Sequence, residues 1–312
     1  MQNAYAPVVV FAYNRLDHVR KMLASLEANR APLEKMDLYI FVDGAREEEE
    51  DRRKVTAVRT FLSKFATSSR FAKVEVISQE KHVGLAQSVI TGVTSIIDRY
   101  GKVIVIEDDL YLAEDFLDYM NDGLNYYQNN SLIWSIGGYV RPFPELESYS
   151  NDVFLAYRIN SWGWATWKDR WDTIDWSLPD YKKYRYNFME RSKFNRGGHD
   201  LAVMLDRQMR GELDSWAIRW GYCQYRSGMM TVYPKVSRVQ NLGMDGSGTH
   251  CYSSHVYDTE LYENGEKCKF VSFESEGLMW KAFQRAMSVP WYKRIKPAIL
   301  NQIQMLFGGY DQ

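Results

Sequence analysis

Val103-Ile104-Val105-Ile106-Glu107-Asp108-Asp109 is a run of four β-branched apolar residues that passes without a spacer into three carboxylates. A short run with no polar alternation is the pattern of a strand covered on both faces, as in a parallel sheet flanked by helices. The carboxylates then stand at the carboxyl end of a strand, where ligands collect in such sheets. Adjacent acids at that place repel one another unless a cation is shared or a proton is held. A hard divalent ion, Mn²⁺ or Mg²⁺, resolves the conflict, because one or two carboxylates plus diphosphate oxygens and water can complete its octahedron. The competing reading is that these acids favour the N-terminus of the helix that follows.

Upstream, the same pattern recurs. Pro7-Val8-Val9-Val10-Phe11-Ala12, Leu38-Tyr39-Ile40-Phe41-Val42 and Val74-Glu75-Val76-Ile77 read as three further strands. Between them lie the helical stripe Val19, Met22, Leu23, Leu26, a charged helical stretch from about Glu48 to Phe65, and the stripe Leu85, Val89, Val93, Ile97. Asp115 to Tyr127 continues as a helix. Four strands alternating with helices predict an α/β, doubly wound, mainly parallel sheet with helices on both faces. Asn14-Arg15, Asp43-Gly44 and Glu107-Asp108-Asp109 each fall just past a strand end, so they are expected to share one crevice. After about residue 130 the alternation stops and an aromatic-rich half begins, with Trp162, Trp164, Trp167 and Trp171 close together. The expected division is 1–130 for the ligand-binding half, 131–289 for an acceptor-side half and 290–312 for a tail.

Composition narrows the class. With 39 basic and 40 acidic residues in 312, the formal net charge of -1 provides no footprint for nucleic acid. Aromatic residues reach 15%, including 10 Trp and 22 Tyr, a supply of flat amphipathic faces that suits core or sugar. Three widely spaced Cys offer neither a paired framework nor zinc spacing, which favours a reducing, cytoplasmic setting. No signal-peptide pattern and no spanning apolar stretch is visible, so the expectation is a cytoplasmic protein, held at most on the inner face of a membrane.

Ile104 to Leu110, followed by Ala113-Glu114-Asp115-Phe116, resembles the metal-binding segment of GT-A fold glycosyltransferases, and most of all the N-acetylglucosaminyltransferase I type. That resemblance implies a Rossmann-like GT-A fold and an inverting, metal-dependent transfer from a nucleotide-sugar, with a UDP-sugar as the leading expectation. It implies Asp109 as the direct metal ligand and Glu107 and Asp108 as contacts on the sugar and ribose side. It places Arg15 against the nucleotide, Asp43 on the nucleobase edge, and His82-Val83-Gly84-Leu85-Ala86 near the nucleotide. Ser161-Trp162-Gly163-Trp164-Ala165 matches the family's Gly-Trp-Gly type segment, with Trp162, Gly163 and Trp164 expected beside the acceptor; the same rings would serve equally as core. Leu213-Asp214-Ser215-Trp216 matches the segment carrying the catalytic base, so Asp214 inherits that role, against the alternative of an ordinary helix cap. Asn14 stands where the family often has an acid, which leaves nucleobase and sugar open.

Asn241 to His250 holds three Gly among small polar residues and reads as a loop. In GT-A enzymes such a segment closes over the donor diphosphate, which makes His250 a candidate second ligand or phosphate contact. Pro290 to Phe307 combines interfacial aromatics, three cations and a helical apolar stripe, fitting either a membrane surface or the protein body. On the first of these, the acceptor would be a lipid-linked saccharide in surface polysaccharide synthesis. The rival enzyme class is a nucleotidyltransferase, but Tyr13-Asn14-Arg15-Leu16-Asp17 lacks the Gly-rich phosphate loop such enzymes carry after the first strand. A non-catalytic carbohydrate-binding protein is the other alternative, and it would not need the acidic triplet.

Overall fold

Residues 5–245, 257–273, 277 and 279–288 are described in a computed structural model of the chain. The first half alternates as its periodicity predicts. Strands β1 (Val8–Ala12), β2 (Asp37–Val42), β3 (Lys73–Ser78) and β4 (Lys102–Glu107) are separated by helices α1 (Leu16–Glu27), α2 (Glu49–Ser68) and α3 (Leu85–Tyr100). The four strands run parallel in the order β3-β2-β1-β4. Side chains alternate across the sheet with the period of two that strands impose. Val8, Val10, Ala12, Ile104 and Ile106 face a core shared with α1 and α2, whereas Val9, Phe11, Val103 and Val105 face α3.

The sheet does not stop where the alternation does. A short strand β5 (Leu110–Leu112) leads into α4 (Phe116–Tyr127), and then β6 (Ile133–Gly137), β7 (Val153–Ala156), β8 (Trp164–Trp167) and β9 (Met230–Pro234) extend the same sheet to eight strands, ordered β3-β2-β1-β4-β8-β6-β9-β7. β8 is antiparallel to both β4 and β6, and β7 is antiparallel to β9. The half read from the sequence as an aromatic-rich cover therefore contributes sheet as well as cover. Strand β10 (Val239–Asn241) pairs antiparallel with β5 as a separate two-stranded piece beside the acidic turn.

Helices complete the second half: α5 (Lys168–Trp171), α6 (Tyr181–Tyr184), α7 (Phe188–Phe194), α8 (Leu201–Met209), α9 (Trp216–Ser227) and α10 (Met279–Ala286). α9 packs against α3 on the second face of the sheet, and between them five indole rings, Trp134, Trp164, Trp171, Trp216 and Trp220, form one buried stack. Trp164 lies 4.3 Å from Trp220 and 5.3 Å from Trp216, ring centre to ring centre. Helices α6 to α9 close a smaller core of their own around Tyr184, Phe194, Leu205 and Tyr222. Among the described residues no helix is long and apolar enough to cross a membrane.

Candidate active site

β1 lies between β2 and β4, so the chain departs to opposite sides on leaving β1 and β4, and a crevice opens between their carboxyl ends. Arg15 and the acidic triplet meet there. The Arg15 Nη2 donates to Asp109 Oδ2 at 2.7 Å and to Asp108 Oδ1 at 3.0 Å. The amide of Tyr13 donates to the other Asp108 oxygen at 3.1 Å. Asp108 and Asp109 are both buried, and one arginine does not neutralise three carboxylates. Burial, followed by the charges of Asp109 and Asp108, pushes the Glu107 carboxyl up to about 8. Burial and the Asp109 charge push Asp108 up to about 6, although Arg15 and the Tyr13 amide pull the other way. For Arg15 itself burial opposes the charge, but Asp108 and Asp109 outweigh it and raise the guanidinium above its ordinary value. The second Asp109 oxygen, Oδ1, is buried and accepts no hydrogen bond. A buried carboxylate oxygen without a donor is costly unless a cation or a ligand proton meets it.

Asp43 lies beyond Tyr13 in the same crevice, but its carboxylate is already engaged. Oδ1 accepts from the amides of Gly44 (2.8 Å) and Val83 (2.9 Å); Oδ2 accepts from the amide of Gly84 (3.0 Å) and pairs with His82 Nδ1 at 2.8 Å. A carboxylate has about four acceptor positions, and here all four are used. Asp43, expected on the nucleobase edge, fastens the segment that opens α3 in this structure. His82 is also placed by it, with its ring 5.1 Å from that of Tyr13, so Tyr13 and His82 together form an aromatic wall between Asp43 and the triplet. Tyr13 is anchored from outside by Asp51, which accepts its hydroxyl at 2.5 Å and the Asn14 amide at 2.6 Å.

The acceptor-side expectations divide. Trp164 is fully buried inside the indole stack and cannot touch an acceptor; it is a core residue. Gly163 has φ +65, and a Cβ there would sit 2.9 Å from Val239 and 3.0 Å from the Phe116 ring, so the glycine answers to internal packing. Trp162 is half-buried, edge-on to Tyr139 at 4.6 Å and to Tyr257 at 5.6 Å, and of the three it alone keeps a face toward solvent. Asp214 precedes α9, where Ser215, not Asp214, caps the helix through Ile218 N at 3.3 Å. The Asp214 side chain is 73% exposed and faces Arg219 at 3.7 Å. Two residues on, Trp216 lies 5.3 Å from Trp164 in the indole stack. His250 lies outside the described residues.

The crevice also takes in the first residues of the Asn241–His250 segment, which the sequence reads as a loop. Beyond β10 the chain turns back onto the triplet: the Leu242 amide donates to the Asp109 carbonyl at 2.8 Å, and Asp245 approaches His18 at 3.3 Å. Gly243 presses so closely that a Cβ would lie 2.1 Å from Asp109 Oδ2 and 3.0 Å from Arg15 Nη1. Gly243→Ala is therefore predicted to displace the Asp109 carboxylate and lower turnover by about tenfold or more, since sub-ångström misplacement at a reacting centre is costly. Steady-state kinetics alongside a melting curve would check this; unchanged turnover would mean that the contact has no functional consequence.

The model of the GNT-I family matches residues 1–201. No curated protein matches the chain. Among solved structures it is similar to the mannosyltransferase PcManGT from Pyrobaculum calidifontis in complex with GDP-Man and Mn²⁺, at 11% identity and a TM-score of 0.38, covering 53% of this chain and 46% of that one. It is also similar to S. aureus TarS 1-349, at 11% identity and a TM-score of 0.43, covering 77% of this chain and 61% of that one. The chain thus spans less than two thirds of the length of either structure.

Proposed function

The chain belongs to the GNT-I family and is a glycosyltransferase, and from that premise we propose that it moves a sugar from a nucleotide-sugar to a hydroxyl of a saccharide or lipid-linked saccharide, with inversion and with the help of Mn²⁺ or Mg²⁺. The observation that carries the reading is the unpartnered, buried Asp109 Oδ1 at the centre of a triplet with surplus negative charge. Among the described residues no group of three or more His, Cys, Asp or Glu side chains is arranged to hold a cation alone. A Mn²⁺ or Mg²⁺ ion would be held by Asp109, with donor oxygens and water filling the remaining positions, as these ions prefer. When bound it supplies charge for the departing diphosphate.

The rest falls to the chain's own side chains. Arg15 holds Asp108 and Asp109 in place and offsets part of their charge. The Tyr13 and His82 rings, fixed through Asp51 and Asp43, offer aromatic faces to the nucleobase. Glu107 and Asp108 accept from hydroxyls of the sugar and ribose. Asp214, exposed just before α9, takes the proton of the acceptor hydroxyl as the hydroxyl oxygen forms the bond to the anomeric carbon. The bond from that carbon to the diphosphate breaks on the opposite face. Trp162, half-buried against Tyr139 and Tyr257, offers its ring to an acceptor sugar.

A transfer assay with a panel of nucleotide-sugars and saccharide acceptors tests the proposal, with the anomeric configuration of the product read by NMR. The expected product has the configuration opposite to that of the donor, with release of nucleoside diphosphate. A product of retained configuration would refute inversion. Formation of a nucleotide-sugar from a sugar phosphate and a nucleoside triphosphate would replace sugar transfer by nucleotidyl transfer.

A further inference from the structure

Among the described residues, the turn from α6 into α7 carries the three most exposed large apolar side chains. Phe188 is 73% exposed, Met189 71% and Tyr186 57%, three large side chains within four residues. They are held there by folded structure. Tyr184 and Phe194, on either side, are buried in the core shared with α8 and α9. Asn187 caps α7, accepting from the amides of Met189 (3.1 Å) and Glu190 (3.2 Å), and this fixes Phe188 and Met189 in the first turn, pointing outward. The small core is complete without them, so folding gives no reason for their apolar character. A contiguous exposed apolar patch of this kind marks a contact surface.

The charge around the patch identifies the contact. Residues 180–196 hold six cations (Lys182, Lys183, Arg185, Arg191, Lys193, Arg196) against two carboxylates, Asp180 and Glu190, in a chain of net charge -1; Arg191 is paired with Asp206, Lys193 with Glu190, and Arg185 is buried, so the exposed surplus is carried by Lys182 and Lys183. Lys182 and Lys183 are exposed just before the apolar tip, and the Arg185 guanidinium lies over the Tyr186 ring at 4.5 Å. Aromatic and thioether side chains at a tip preceded by two exposed lysines match the two layers of a bilayer interface, acyl chains beneath anionic headgroups. We propose that the Tyr186–Met189 turn, with Lys182 and Lys183 before it, docks the protein on an anionic lipid bilayer. This contact uses none of residues 290–312, which lie outside the described residues, and it does not depend on the sugar-transfer reading.

Co-sedimentation of the full chain with phosphatidylcholine vesicles, with and without phosphatidylglycerol, tests it. The wild type is expected to bind the phosphatidylglycerol vesicles and to be released by salt. Phe188→Ser with Met189→Ser should weaken that binding about tenfold or more, in line with the loss of buried apolar area. Lys182→Glu with Lys183→Glu should remove the preference for phosphatidylglycerol. All four side chains are exposed, so melting temperatures should be unchanged, which separates lost docking from lost folding. Wild-type binding that ignores phosphatidylglycerol, or equal binding by the Phe188/Met189 variant, would overturn the proposal. So would a wild-type dimer without vesicles that the same variant makes monomeric, because the patch would then be covered by a second copy of the chain.

Discussion

Asp109→Asn is expected to abolish metal-stimulated sugar transfer, a loss of about a thousandfold or more given the several kcal/mol that a catalytic cation supplies, while leaving the protein folded. The amide keeps the shape of the side chain but removes the charge opposite Arg15 and the anionic Oδ1 that has no partner of its own. Removing one of three crowded carboxylates also relieves the repulsion that raises Glu107 and Asp108. At neutral pH without added metal the variant should therefore melt no lower than the wild type. A residue of purely structural importance would behave differently, losing stability together with activity. Turnover and melting temperature measured on the same preparation separate the two, and an active Asp109→Asn enzyme would remove the metal assignment.

Asp214→Asn is predicted to leave donor binding intact and to lower transfer by about a hundredfold to ten-thousandfold, the usual contribution of a positioned base. Its exposure makes folding insensitive to the change: the helix cap belongs to Ser215, and the 3.7 Å contact with Arg219 is too long and too exposed to stabilise much. Binding of the donor by calorimetry, set beside the rate of product formation, reads the two effects apart. A variant that transfers at the normal rate would return Asp214 to the role of a surface residue.

The sheet was legible in the sequence where the chain lays down strand and helix in turn. Val8–Ala12, Asp37–Val42 and Lys102–Glu107 are apolar almost throughout because helices cover both faces, so each declares itself by its own long apolar run, even though β1 pairs with β4 some 96 residues away. β8 and β6 were not legible for the converse reason. They are four and five residues long, and β8 inserts between β4 and β6 by pairings that span some sixty residues of sequence in one direction and about thirty in the other, which no local period records. The same limit applies to the site. Asp109 beside Arg15 followed from strand ends alone. The saturation of Asp43 depends on the amides of Val83 and Gly84, forty residues away, and the pressure of Gly243 on Asp109 depends on a three-residue pairing of β10 with β5. Trp164 reads either way in the sequence because an indole in a sugar-handling chain suits ligand and core alike, and only the positions of Trp216 and Trp220 decide between them.

The carboxylate cluster also fixes how stability should respond to pH. Glu107 and Asp108 hold protons more tightly folded than unfolded, where they titrate near 4.5 and 3.8. Folding therefore binds protons across the interval up to about pH 8, and the metal-free protein should lose stability as the pH rises through it. A bound cation removes that loss. The most direct measurement is thus the melting temperature of the full chain at about pH 8 with a panel of nucleotide-sugars, each with Mn²⁺ and with EDTA. One donor should raise the melting temperature by several degrees with Mn²⁺ and by far less with EDTA. Equal stabilisation in EDTA, or no stabilisation by any donor with Mn²⁺ present, would contradict a cation-dependent donor site at Glu107-Asp108-Asp109.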